Sequence, residues 1–183
     1  DLITRPAARD MVRIRAAVNR SIRENFFRRD YIELETPMLQ MIHGGAAARP
    51  FITHMNALDT DLYLRIATEI YLKRAVVGGV DRVFEMNRNF RNEGMDSSHS
   101  PEFTSLEAYE AYSDYNGMAD LTRDLIQQAA RDAFDLSEGE EIVRLADGTE
   151  YDLSGQWDRI DLYGSTSEAL GEEITVETPR ETL

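Results

Sequence analysis

A short segment in the middle of the chain gathers residue types that could bind a nucleoside triphosphate. Phe90-Arg91-Asn92-Glu93-Gly94 is followed closely by His99-Ser100-Pro101-Glu102-Phe103. An arginine can neutralise phosphate through two parallel hydrogen bonds, a histidine supplies a further donor, and an aromatic ring can stack on a base. An ordinary polar hairpin could contain any one of these residues, but their ordered combination favours a nucleotide-binding loop.

Two strands are predicted to hold this loop. Residues 82–86 and 103–109 are rich in aromatic and apolar side chains, as the strands of a hairpin are. Because side chains alternate along a strand, Glu107 and Tyr109 should lie on the same face. Upstream, Gly44-Gly45 and three alanines predict a loop whose backbone can approach a ligand closely.

Hydrophobic periodicity and turn residues predict the other elements. Apolar residues spaced by three or four over residues 7–28 indicate a long helix, and residues 31–35 alternate as a strand before Thr36-Pro37. Thr68 is expected to cap a helix that begins at Glu69. The remaining predictions are a strand over 62–66, helices over 117–134 and 166–170, and a hairpin over 142–145 and 149–153. Together they indicate an α+β fold with a mainly antiparallel sheet flanked by helices.

Composition limits the class of protein. A chain of 183 residues with 42% hydrophobic and 9% aromatic residues is typical of a folded domain. No apolar run approaches the roughly 20 residues that a membrane helix needs, so we expect no membrane partner. The sequence has no cysteine, which excludes disulfides and thiolate metal sites and favours a cytoplasmic location.

The charge is unevenly distributed. The net charge is −14, and residues 135–183 contain 14 acidic and three basic residues. Such a balance argues against broad contact with a phosphate backbone, so any recognition of nucleic acid must be local or come from another part of the protein. The acidic region is interpreted as a solvated face.

Four segments together resemble the catalytic domain of class II aminoacyl-tRNA synthetases, and of lysyl-tRNA synthetases in particular. Residues 1–40, with Glu33-Leu34-Glu35-Thr36-Pro37, are similar to the first motif of that class, and residues 82–112, with Arg91-Asn92-Glu93 and Phe103, to the second. Residues 44–51 and 64–74 are similar to stretches peculiar to the lysine enzymes. The resemblance covers nearly all of residues 1–183 and implies a partial class II catalytic fold, ending in an acidic hairpin and short helix at 135–183.

The resemblance implies a site for lysine. Glu69 and the backbone at Gly45 would hold the α-amino group, and Glu107 and Tyr109 the side-chain ammonium. This agrees with physical expectation, because a buried ammonium needs carboxylate partners. For each residue a plain structural role is the alternative: a favourable helix-start charge for Glu69, a solvent-facing charge for Glu107 and an ordinary strand aromatic for Tyr109.

The resemblance also implies adenylation by ATP. Arg91 would bridge the α-phosphate and the lysine carboxylate, His99 would lie near the outer phosphates, and Phe103 would stack on the adenine. Glu93 would act near the adenine end. The acyl group would pass to tRNA(Lys), and Mg²⁺ would be bound by residues outside this chain, since none of its own is expected to bind metal.

Three departures from the family pattern affect these expectations. Thr68 stands where the family usually has proline. No glycine-rich third motif follows before Leu183, and no anticodon-binding barrel precedes residue 1. We therefore expect a front part of the catalytic domain that cannot complete adenylation alone.

Other interpretations remain open at this point. One is a paralogue that transfers lysine to a protein or a lipid, and another is a non-catalytic dimerisation module. The first motif normally builds a homodimer in this family, but the apolar stripe from Met11 to Phe26 could equally be buried in the core. Aspartyl and asparaginyl enzymes share the fold, although an aspartate pocket would need cations where this chain has Glu107 and Tyr109.

Overall fold

The computed structural model describes residues 1–145 and 147–180 of the chain, in which four α-helices accompany three small β-sheets. Residues 146 and 181–183, which belong to the predicted acidic region, lie outside the described residues. The elements are α1 (Pro6–Arg28), β1 (Ile32–Glu33), β2 (Leu39–Gln40), β3 (Ile52–Met55), β4 (Thr60–Leu64), α2 (Glu69–Val77), β5 (Arg82–Phe90), β6 (Glu102–Glu110), α3 (Tyr115–Phe134), β7 (Ile142–Arg144), β8 (Glu150–Asp152) and α4 (Leu162–Leu170).

The long hairpin of β5 and β6 organises the molecule. The two strands pair antiparallel over nine residues each, from Arg82 opposite Glu110 to Phe90 opposite Glu102, and β1 adds to β5 in parallel. A second sheet has the order β2-β4-β3, and β7 pairs with β8, both antiparallel. The predicted α+β fold with a mainly antiparallel sheet is confirmed.

One face of the β5–β6 hairpin forms the core. Phe84 on β5 stacks on Phe26 of α1, with ring centres 4.4 Å apart, and Tyr31 meets Phe26 edge to face. Leu121 and Leu125 of α3 complete this cluster. Since directly opposite residues of antiparallel strands share a face, Glu85 and Glu107 lie on the opposite side of the hairpin. The core therefore leaves that second side of the hairpin for the candidate site.

Several predictions about the elements were right in position but wrong in detail. Helix α2 begins at Glu69, but the Thr68 side chain makes no capping hydrogen bond with the described residues, because Thr68 has helical rather than extended backbone angles. Helix α4 begins four residues before the predicted Thr166, since Asp161 caps it. The apolar stripe of α1 is buried at one end and exposed at the other: Phe26 is buried, whereas Met11 is 65% exposed.

Within the described residues, no helix is long and apolar enough to cross a membrane.

Candidate active site

Arg91 lies where β5 ends and the loop of the hairpin begins. Its Nε and Nη2 both point to the carbonyl oxygen of Ile66, each at 3.4 Å, and its backbone N–H donates to Pro101 O at 2.9 Å. The guanidinium carbon lies 5.2 Å from the centre of the Phe103 ring, in cation–π contact. Arg91 is thus oriented from two sides, and one face of Phe103 is covered by it.

The loop between the strands is shaped by Asp96. Its Oδ1 accepts hydrogen bonds from the amides of Ser98 (2.7 Å) and His99 (2.8 Å), and its carboxylate meets His99 Nδ1 at 2.9 Å. The Ser98 amide, and after it the His99 side chain, hold the pKa of the Asp96 carboxyl below its usual value. Asp96 therefore fixes the orientation of an otherwise exposed histidine.

A cavity of about 540 Å³ opens at this loop, lined by Arg91, Glu93, Gly94, Asp96, Ser98, His99, Ser100 and Phe103. It gathers all four residues predicted to bind ATP. Glu93 Oε1 accepts a hydrogen bond from the Arg49 amide at 3.2 Å, and the Asn92 amide donates to Arg49 O at 2.7 Å. These bonds join the hairpin loop to the segment that follows Gly44-Gly45.

Glu107 on β6 has both carboxylate oxygens engaged. Oε1 accepts a hydrogen bond from the backbone N–H of Thr68 at 3.0 Å, and Oε2 accepts one from the Tyr109 hydroxyl at 3.2 Å. Burial, followed by the negative charges of Glu107 and Glu69, raises the pKa of the Tyr109 hydroxyl above its usual value. Tyr109 is therefore protonated and remains a donor throughout the physiological pH range.

Glu69, in the first turn of α2, makes an ion pair with Lys73 one turn later, with Oε1 and Nζ 2.7 Å apart. The same Lys73 Nζ lies 5.6 Å from the centre of the Tyr109 ring. An ammonium group thus already lies among Glu69 and Tyr109 in this structure. Glu69 and the Tyr109 ring are therefore already in contact with a cation.

Gly45 approaches Glu69 closely. Its φ is +87°, a conformation that side chains disfavour, and a Cβ placed there would lie 3.0 Å from Glu69 Cβ and 3.1 Å from Ala67 Cβ. Glycine is therefore required for this loop to reach the start of α2, as its sequence suggested.

One buried segment, residues 65–68, connects the two ends of the site. Its Ile66 carbonyl orients Arg91, and its Thr68 amide holds Glu107. All four residues are at most 6% exposed. Residues 65–68 thus contact both Arg91 and Glu107, the cationic and the anionic side chain of the candidate site.

Sequence reasoning missed four groups here: the Thr68 amide, the Ile66 carbonyl, Lys73 and Asp96. Backbone groups leave no mark on a sequence. Asp96 did carry a signal, because an aspartate followed by two serines is typical of a turn closed by its own side chain.

The described residues offer no metal site, since no group of three or more His, Cys, Asp or Glu side chains among them could hold an ion. No step is assigned to Mg²⁺ on these residues.

The fold and the candidate site agree with a known family of proteins. The family model of class II tRNA synthetases (D, K and N) matches residues 1–180, and the chain belongs to this family. The predicted membership is confirmed.

Individual relatives are more specific. The chain is 60% identical over 183 residues to a lysine–tRNA ligase of Kineococcus radiotolerans and 62% identical over 183 residues to one of Mycolicibacterium gilvum. It is also 53% identical over 187 residues to a lysylphosphatidylglycerol biosynthesis bifunctional protein of Mycolicibacterium vanbaalenii. All of this chain is matched in each case. It spans 36% of the length of the two ligases and 17% of the third protein.

Proposed function

We propose that this chain is part of a lysine–tRNA ligase, an enzyme that activates lysine with ATP and transfers it to tRNA(Lys). The observation that carries the proposal is the pair of hydrogen bonds that fixes Glu107, from the Thr68 amide and from Tyr109, on the same buried segment whose Ile66 carbonyl orients Arg91. It is supported by the names of the ligases to which the chain is similar.

Lysine is the substrate that these charges fit best. Glu107 and Tyr109 receive its side-chain ammonium, while Glu69 and the backbone at Gly45 receive its α-amino group. A substrate with a carboxylate side chain, such as aspartate, would place a negative charge against Glu107 in a partly desolvated pocket. That repulsion disfavours the aspartate specificity found elsewhere in a D, K and N family.

Lysine displaces Lys73 from Glu69 in this proposal. Lys73 Nζ already satisfies Glu69 in the structure, at 2.7 Å, so the carboxylate is not left unpaired before the substrate binds. Lys73 is 55% exposed at its side chain and can turn into solvent at little cost when the α-amino group arrives.

The chemistry is an in-line displacement at phosphorus. A carboxylate oxygen of lysine attacks the α-phosphorus of ATP, the bond from that phosphorus to the bridging oxygen breaks, and pyrophosphate leaves with the electron pair. Arg91 donates hydrogen bonds to the α-phosphate and the lysine carboxylate as charge develops. The uncovered face of Phe103 stacks on adenine, Glu93 acts near the base, and His99 donates to the outer phosphates.

In the second reaction a hydroxyl of the terminal ribose of tRNA(Lys) attacks the acyl carbon, and AMP leaves. Because tRNA and ATP are cytoplasmic substrates in this reaction, the proposal includes a cytoplasmic location. Mg²⁺ would have to be held by groups other than the described residues.

A homodimer through the first-motif region belongs to the same proposal. Apolar side chains are exposed in this region, where Met11 is 65%, Ile32 52% and Leu39 51% exposed. A second copy would remove this surface from water. Sedimentation of the full-length protein as a monomer at high concentration would contradict the dimer.

Transfer of lysine to a lipid is the second candidate. It is favoured by the 53% identity with the lysylphosphatidylglycerol biosynthesis protein. Activation of lysine is common to both candidates, so only the acceptor distinguishes them.

An acceptor assay on the full-length protein tests the proposal. Radiolabelled lysine and ATP are supplied with tRNA(Lys), or with vesicles containing phosphatidylglycerol, or with both. When tRNA(Lys) is the only acceptor supplied, we expect labelled lysine in acid-precipitable tRNA. When vesicles are supplied without tRNA, we expect no label in the lipid. A thermal-shift screen of amino acids with ATP provides the substrate control, and stabilisation by aspartate but not by lysine would overturn the proposal.

A further inference from the structure

A fully buried ion pair lies next to the candidate site, because Glu85 is paired directly opposite Glu107 on the same face of the hairpin. Arg65 Nη1 and Glu85 Oε1 are 2.8 Å apart, and the two side chains are 0% and 1% exposed. Removing two charges from water costs free energy that their mutual attraction often fails to repay, so a buried ion pair is a poor device for stability alone. Its contacts indicate a different role.

The planar guanidinium group of Arg65 connects three parts of the chain through hydrogen bonds. Its Nε donates to Arg88 O at 2.8 Å, and its Nη1 donates to Thr36 O at 2.9 Å and to Thr36 Oγ1 at 3.0 Å, besides Glu85. Glu85 in turn accepts hydrogen bonds from the Thr36 hydroxyl at 2.6 Å and from the Thr36 amide at 3.3 Å. The segment after β1, strand β5 and the end of β4 are thereby locked to one guanidinium.

The backbone of Arg65 is fixed as firmly as its side chain. Its N–H donates to Met38 O at 2.8 Å, and its carbonyl accepts from the Phe90 amide at 3.0 Å. The next peptide units carry the groups that orient the site: Ile66 O for Arg91 and the Thr68 N–H for Glu107. Any shift of Arg65 therefore moves both groups at once.

We propose that Arg65 and Glu85 are positioning residues that set the distance between Arg91 and Glu107, and hence the fit of lysine between them. This inference rests on the proposed function. The flexible side chain of lysine has a limited reach. Arg91 and Glu107 must therefore stand at a separation that lets the carboxylate face the phosphorus while the ammonium is bound. A misplacement of about 1 Å at such a centre can cost on the order of 10²-fold in rate.

Two of the groups proposed to bind ATP, Glu93 near the base and His99 near the outer phosphates, are held by other contacts. Glu93 bonds to the Arg49 amide, and His99 bonds to Asp96 within its own loop. Neither contact involves residues 65–68. The proposal thus predicts a defect in the use of lysine that is much larger than the defect in ATP binding, whereas a general loss of structure would affect both.

The test is a double variant, Arg65→Met with Glu85→Met, in the full-length protein. Apolar replacement of both partners of a buried pair usually preserves folding, whereas removal of one partner leaves an unpaired charge. The matched control is Arg131→Met with Glu141→Met. This control removes the ion pair between Arg131 on α3 and Glu141, the residue before β7, and Glu141 is also buried.

Melting temperature and lysine-dependent pyrophosphate exchange are measured for all proteins. We expect both double variants to fold, and the control to keep wild-type kinetics. The Arg65/Glu85 variant should lose about 10²-fold in kcat/KM for lysine, with the KM for ATP changed by less than about two-fold. Unchanged kcat/KM for lysine, or equal losses for lysine and ATP, would overturn the inference.

If the double variant does not fold, the Arg65→Lys variant tests the inference instead. Lysine keeps the charge opposite Glu85 but cannot reproduce the fork that also reaches Arg88 O and Thr36. We expect it to fold and to show the same lysine-specific defect, and wild-type kinetics would overturn the inference. If the wild-type protein itself shows no lysine-dependent exchange, the proposed function fails first and this inference with it.

Discussion

The backbone N–H of Thr68 donates a hydrogen bond to Oε1 of Glu107 across 3.0 Å. Proline has no such N–H, and this is the position at which the resemblance led us to expect proline. In this chain the residue before α2 therefore holds the carboxylate that is proposed to receive the lysine side chain.

Replacing Thr68 by proline should weaken lysine binding. The substitution removes one of two hydrogen bonds to the Glu107 carboxylate, and a hydrogen bond to a charged group contributes about 1.5–3 kcal/mol. We expect a lower melting temperature and a higher KM for lysine, because Glu107 in this chain is held by the amide that proline lacks, with little change in the KM for ATP. Steady-state pyrophosphate exchange by the full-length protein measures both KM values.

Thr68→Val is the matched control. It retains the N–H and removes a buried hydroxyl that has no hydrogen-bond partner among the described residues. The KM for lysine should not change, and the melting temperature should stay level or rise because no satisfied polar group is lost. A rise in the lysine KM equal to that of the proline variant would show that the amide is not the important group.

Arg91→Lys should be nearly as damaging as Arg91→Ala. Lysine presents a point charge and cannot bridge two anionic groups with a rigid fork, nor can it donate twice to Ile66 O as Arg91 does. Loss of a donor to the developing charge typically costs about 10²–10³-fold in kcat. Single-turnover formation of lysyl-adenylate tests this, and recovery of wild-type rates in the lysine variant would contradict it.

Gly45→Ala should damage both folding and lysine binding, unlike Gly44→Ala. The positive φ of Gly45 alone costs an alanine about 1–2 kcal/mol, and the added Cβ would lie 3.0 Å from Glu69 Cβ. At Gly44 the nearest atom would be 3.8 Å away. Thermal unfolding and lysine titration of the two variants should separate them clearly, and equal behaviour would refute the close approach to Glu69.

The loop around Asp96 should be sensitive to strong acid only. Because the pKa of Asp96 is lowered in the folded protein, its stabilising bonds are complete above the ordinary value of 3.8 and are lost as the pH falls through the lowered pKa. The side-chain carboxyl carbon resonance of Asp96, followed by NMR, should titrate with a midpoint below that ordinary value. A midpoint at or above 3.8 would contradict the hydrogen bonds seen here.

The sequence predicted the elements with strong periodicity and the residues with distinctive chemistry. The helix over 7–28 and the strand that carries Phe103, Glu107 and Tyr109 lie where their patterns indicated, and Arg91 directly follows the other strand of the predicted hairpin. Strand β3 was not predicted, because its four exposed residues lack the alternation of a half-buried strand.

Tertiary contacts account for the rest. Arg65 looked like an ordinary strand residue, and its complete burial depends on Glu85, which lies 20 positions away. The Ile66 carbonyl and the Thr68 amide are main-chain groups. Any residue would supply the carbonyl, and any residue except proline would supply the amide. Such contacts are fixed by packing and not by local residue type.

Pyrophosphate exchange by the full-length protein tests the central claim most directly. With ATP and labelled pyrophosphate, we expect label to enter ATP when lysine is present and not when aspartate or asparagine replaces it. Glu107→Gln should abolish most of the lysine-dependent signal, since it removes the charge proposed to face the ammonium. Exchange that depends on aspartate or asparagine, or that survives intact in Glu107→Gln, would contradict the proposed lysine site.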